Sequence, residues 1–168
     1  MIPDSQTSPE AISSEAGGEA ATVALSYLTS DHVNVAFFQN AIPILQGMSI
    51  TNNLADDLSN VVVSFSSEPP FLTPGSVTIS GIKSGSQHHL PAPDLKLDHA
   101  LLSGLAASRR SEITVRVCCG EEILAENSKE VNLLPPSFWG GSRSSPQLLA
   151  AFVRPTDPSV DVILRDAA

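Results

Sequence analysis

Cys118, Cys119 and the four histidines, His32, His88, His89 and His99, carry the side chains best suited to metal ligation or nucleophilic attack. A zinc site needs ligands paired a few residues apart, and neither a CxxC nor an HxxxH spacing occurs. His88 and His89 are neighbours in a run that reads as a strand, so their rings are expected on opposite faces. Alternation puts Cys119 beside Val115 and Val117 on an apolar face, where a thiol is inert. Cys118 is the more accessible of the two, but nothing in the sequence identifies a base for it. The carboxylates are scattered, and neither G-x-S-x-G nor G-x-x-x-x-G-K-[ST] is present. The expectation is a chain without catalytic residues, metal or cofactor.

Adjacent strand cysteines cannot bridge one another. With no other cysteine there is no disulfide framework, which fits a reducing compartment. No basic, apolar leader opens the sequence and no apolar run approaches the ~20 residues of a membrane span. A cytoplasmic protein without membrane contact is expected. Formal net charge is −9, and residues 1–23 hold Asp4, Glu10, Glu15 and Glu19 with no lysine or arginine. No basic stripe exists, so direct contact with nucleic-acid phosphates is not expected.

The elements follow from hydrophobic period. Residues 1–23, rich in Ser, Glu, Gly and Pro, cannot bury enough apolar surface to offset their ordering entropy and are expected to form a disordered acidic tail. From Tyr27 onward alternation by two takes over. It marks Val33, Val35 and Phe37; Ile42, Ile44, Met48 and Ile50, with a bulge at Gln46-Gly47; Val61, Val63 and Phe65; Val77 and Ile79; Ile113, Val115, Val117 and Cys119; and Val131 with Leu133. Gly120 suits a hairpin turn, and Leu101, Leu102 and Leu105 suggest one or two helical turns. Proline-rich loops at 69–74 and 91–93 read as crossings between sheets. Residues 24–137 are thus expected to form an all-β, immunoglobulin- or fibronectin-like antiparallel β-sandwich.

Residues 138–168 break this pattern. Phe138-Trp139-Gly140-Gly141 is an aromatic turn, read either as a lid on the open end of the sandwich or as an anchor for a partner. Ser145-Pro146 then starts one short helix striped with Leu148, Leu149 and Phe152. Asp157-Pro158 starts a second with Val160, Ile163 and Leu164. Helices this short do not stand alone in water, so a short C-terminal helical appendage is expected to lie on the sandwich, on a partner or on further protein.

Two stretches carry a resemblance. "VNVAFFQNAIPILQGMSITNNLADDLSNVVVSFSSEPPFLTPGSVTISGIKSGS" is similar to the opening β-sandwich of very large bacterial superfamily-one helicase-related proteins that carry a restriction-endonuclease-like domain. "NLLPPSFWGGSRSSPQLLAAFVRPTDPSVDVILRDA" is the closer match: an aromatic-Gly-Gly element, a proline-started helix ending in Phe-Val-x-Pro, then an Asp-Pro-x-Val-Asp helix. None of that family's ATPase or nuclease motifs occurs here, so no functional residue carries over. The resemblance implies a non-catalytic N-terminal interaction or scaffolding module of a helicase-related, nucleic-acid-processing protein, and residues 138–168 would be the junction to a following domain.

The expected working surface is the seam of Phe138, Trp139, Leu148, Leu149, Phe152, Val160, Ile163 and Leu164. Its partner would be the downstream domains of the same parent protein or another protein. Uncovered, the seam is expected to remain an apolar patch or to be buried by self-association. A second expectation, from the binding class, is a stand-alone module that recognises a protein or small ligand through loops 66–75 and 84–94. Its mark would be a pocket lined by His88 and His89.

Overall fold

A computed structural model describes residues 22–138. Eight strands and two one-turn helices follow in the order β1 (Val23–Thr29), β2 (His32–Val33), α1 (Val35–Gln39), β3 (Leu45–Asn52), β4 (Leu58–Glu68), β5 (Gly75–Ile82), β6 (Gln87–Leu90), α2 (His99–Ser103), β7 (Arg109–Cys119) and β8 (Glu122–Leu133). They form a three-stranded sheet, β1-β3-β6, and a five-stranded sheet, β2-β8-β7-β4-β5. The fold is all-β, as alternation requires, and one of the two sheets curls into a half-barrel. Every pairing is antiparallel except β2 with β8, which is parallel. The expected purely antiparallel arrangement is therefore corrected at that one edge.

The core lies where the period-two pattern puts it. Val61, Val63 and Phe65 of β4 are buried beside Ile113, Val115 and Val117 of β7 and Val131 and Leu133 of β8. Leu45, Met48 and Ile50 of β3 belong to the same cluster. Burying each such side chain stabilises the fold by roughly 1.5–3 kcal/mol. The β7–β8 hairpin turns at Gly120, whose φ of 61° costs glycine little. The bulge expected at Gln46-Gly47 is present. Ser26 pairs with Ser49 but Leu28 with Gln46, so Tyr27 faces two residues, Gly47 and Met48, and Gly47 takes a φ of 57°.

Three expectations fail locally. Val33, Val35 and Phe37 do not share a strand, because α1 begins at Val35. Asn34 is extended, and its Oδ1 accepts from the Ala36 amide at 3.0 Å, the geometry of a helix N-cap. Val35, Ala36 and Phe37 are buried in succession, which a strand with one wet face cannot do. The second failure is loop 69–74, which joins β4 to β5 within one sheet. Ser67 Oγ accepts from the Phe71 and Leu72 amides at 3.0 and 3.3 Å, and both side chains are buried. The 91–93 reading fares better, since residues 91–97 and α2 do carry the chain from β6 in one sheet to β7 in the other. The third is Cys119, which is half-buried at the hairpin end, with Sγ donating to the Ser59 carbonyl at 3.2 Å. Residues 1–21 and the expected helical appendage lie outside the described residues, except Phe138.

Candidate functional site

The site grows from α1. Asn34 is 2% exposed and works in two directions: its Oδ1 caps the helix, and its Nδ2 donates to the Phe138 carbonyl at 2.8 Å. The chain leaving β8 is thereby clamped to the start of α1. Parallel pairing of β2 with the end of β8, and the Leu134 amide bonded to the Val33 carbonyl at 2.8 Å, bring the two segments together. Phe138, the one member of the expected interface within the described residues, is 58% exposed there. Trp139, Leu148, Leu149, Phe152, Val160, Ile163 and Leu164 lie outside them.

One helical turn on, α1 places two phenylalanines differently. Phe37 is buried in the core, whereas Phe38 is 51% exposed and meets the His99 ring of α2, tilted, at 5.3 Å between centroids. The Asn40 side chain and amide both donate to the Ala36 carbonyl, and the Ile42 amide returns to the Phe37 carbonyl at 2.9 Å across Ala41, whose φ is 50°. That turn sends Ile42, Pro43 and Ile44 back past the helix. Opposite them run residues 92–97, anchored by the Thr73 amide on the Lys96 carbonyl at 2.7 Å and by the bridge between Leu72 and Leu97. Between the two segments is a cleft of about 380 Å³, walled chiefly by Phe37, Phe38, Ile42, Ile44, Leu95 and Leu97, with Asp94 and Lys96 as its ionisable lining groups.

No protein-family model matches this chain, and no curated protein does either.

The lining of the cleft is mainly apolar, and its volume falls within the range of ligand-sized sites. Its two ionisable groups have the chemistry to orient a bound group at the rim. The histidines expected to line a pocket are elsewhere. His88 pairs with Ile50 and His89 with Ser49 on β6, and neither borders the cleft. Of the loops named for recognition, 66–75 turns inward on Phe71 and Leu72, and 84–94 supplies only residues 92–94 to the cleft. Among the described residues no group of three or more His, Cys, Asp or Glu side chains is gathered as a metal site would need. No helix there is long and apolar enough to cross a membrane. Cys118 and Cys119 are both free thiols.

Among the described residues, Tyr27 on β1 is a perturbed titratable group. Burial first, and the negative charge of Glu112 second, push its phenol up to about 12. Its hydroxyl donates to the Asn127 carbonyl at 2.9 Å, and Lys129 Nζ donates to the Tyr27 carbonyl at 2.6 Å while lying 4.6 Å from the ring centroid. These contacts tie β1 to β8, so the shift reflects a structural seam between sheets.

Sequence reasoning missed the cleft. Its walls come from segments some 50 residues apart, 37–44 and 92–97, and only the fold brings them together. The available local signal was Asn34-Val35-Ala36-Phe37, a capping residue before three consecutive apolar side chains.

Proposed function

We propose that this chain is a non-catalytic interaction or scaffolding module, an immunoglobulin-like sandwich at the N-terminal end of a helicase-related, nucleic-acid-processing protein. The observation that carries the interaction role is the apolar cleft beside a clamped chain exit. Phe38 stands half-exposed on its wall, and Asn34 fixes Phe138 one helical turn away. An apolar hollow of this kind gains most when a partner's apolar group fills it and excludes water. The helicase link rests on the resemblance of the run from Asn132 to Ala167. The free thiols suit the cytoplasm assigned to such a protein. On this reading the partner is the body of the same parent protein or another protein, and neither nucleic acid nor membrane is touched directly.

The test joins the reading frame around these codons to hydrogen exchange. An in-frame continuation encoding a superfamily-one ATPase core is expected, and amides of residues 37–44 and 92–97 should exchange more slowly in that longer protein than in the 168-residue chain. Equal exchange in both removes the docking role, and a continuation of another kind removes the helicase link. A second reading, a stand-alone module for a small apolar ligand, is favoured by the cleft volume alone. It predicts that a fluorescent apolar dye binds the isolated chain and is lost on Phe38→Ser.

A further inference from the structure

A sheet edge is a row of unpaired amides and carbonyls that invites another strand, and proteins blunt such edges with short length, lysine or proline. The two sheets end in β1, β6, β2 and β5. β8 is open beyond the two residues that β2 covers, but there Glu122, Glu126, Lys129 and Glu130 charge it and the Asn127 carbonyl takes the Tyr27 hydroxyl. β2 spans two residues and β6 four. On β1 the Tyr27 carbonyl is occupied by the ammonium of Lys129. β5 has none of these defences. It runs for eight residues, Gly75–Ile82, without a charge or a proline, and six of them are exposed: Gly75, Ser76, Val77, Thr78, Ser80 and Gly81. Among the described residues no strand pairs with its outer side.

The order of its residues identifies what fits there. Gly75-Ser76-Val77-Thr78-Ile79-Ser80-Gly81 reads the same by residue class in both directions about Thr78. Antiparallel pairing about a two-fold axis through that point sets Thr78 opposite Thr78, Val77 opposite Ile79, Ser76 opposite Ser80 and Gly75 opposite Gly81. We propose that β5 is a homodimerisation edge, and that a second copy of this chain pairs with it in this register to make one continuous ten-stranded sheet.

Each pair suits its place. Register with β4 puts Val77 beside Val63 and Ile79 beside Val61, so both point to the core side of the sheet. Ile79 is buried, but Val77 is 39% exposed, so the three-stranded sheet leaves room at that level for a second copy. The pairing would cover Val77 with an isoleucine. On the other face it brings together serine and threonine hydroxyls, which hydrogen-bond across strands. For a chain of net charge −9, a strand that sets no like charges opposite one another is the favourable surface for self-contact. The contact is isologous and consumes both free edges, so assembly stops at two. A single strand pairing lies at the small end of specific interfaces, so the dimer is concentration-dependent.

Sedimentation velocity of the 168-residue chain across a wide concentration series tests this directly. The mass should rise from one chain to two. Thr78→Lys sets like charges together at the two-fold axis and should weaken the dimer about fivefold or more, with the melting temperature of the dilute protein unchanged. Register is read from two double variants. Ser76→Lys with Ser80→Glu sets opposite charges face to face and should dimerise, whereas Ser76→Lys with Ser80→Lys should remain single chains. A one-chain mass at every concentration overturns the proposal, whether the edge is free or covered by residues outside 22–138. A dimer indifferent to Thr78→Lys, as one built through Leu148, Leu149 and Phe152 would be, overturns it too, as does equal dimerisation of the two double variants.

Discussion

The β1–β8 seam and the α1 cleft are both places where the core meets solvent, and they are finished in opposite ways. At the seam, polar groups close the gap: the Tyr27 hydroxyl reaches Asn127, and Lys129 returns to the Tyr27 carbonyl. At the cleft, the polar work is done behind the surface by Asn34, and the surface itself is left apolar, with Phe38 half out in water. A sealed seam needs nothing further. An apolar hollow retains a free-energy gain that is realised only when something fills it. The difference separates a structural boundary from one suited to contact.

The sharpest break in that comparison lies between two adjacent residues. Phe37→Ala empties a core position that is 1% exposed and should cost about 3–5 kcal/mol in urea denaturation. Phe38→Ala removes a half-exposed ring and should cost about 0.5 kcal/mol or less. Comparable losses would make the cleft wall part of the core and end its assignment as a contact surface. The next effect is at Asn34, which holds both the cap and the exit. Asn34→Ala loses both bonds and should cost about 2 kcal/mol, whereas Asn34→Ser retains a capping oxygen and should cost about half of that. If the thermal midpoint of Asn34→Ser coincides with that of the parent, the bond to Phe138 contributes nothing to holding the exit.

What the sequence reveals divides along the same line. Val61-Val63-Phe65 and Ile113-Val115-Val117 announce buried strands because each has one wet and one dry face, and alternation is a local property. The bulge at Gly47 and the turn at Gly120 are legible because both need a positive φ, which glycine supplies at low cost. Residues 32–37 mislead because Val33, Val35 and Phe37 fit period two. Asn34 passes equally for a solvent-facing strand residue and for a cap, and only burial of Ala36 between its neighbours decides. β1 is hidden for a related reason: burial alternates from Val23 to Thr29, but the outward-facing Ala24 and Leu28 are themselves apolar and mask the period. The symmetry of residues 75–81 is plain in the sequence, but it acquires meaning only once β5 is known to be an outer strand. A property that depends on which segment ends up beside which is not written in any local window.

The smallest expected effect probes how well the seam is sealed. Tyr27 is 4% exposed and its phenol is pushed from 10.0 up to about 12, chiefly by burial and then by Glu112. A raised value in the folded state means that the native protein keeps its proton where the unfolded chain has released it. Folding stability from this group is therefore full below about pH 10 and declines as pH rises toward 12. Tyr27→Phe lacks both the proton and the bond to Asn127, so it should be about 1 kcal/mol less stable than the parent at neutral pH. The informative quantity is the difference in urea midpoint between parent and variant, in which any pH dependence common to both cancels. That gap should hold steady up to about pH 10 and shrink above it. A gap that stays constant to pH 12 would mean that the phenol ionises alike in the folded and unfolded chains, and that water reaches it past Lys129 and Asn127.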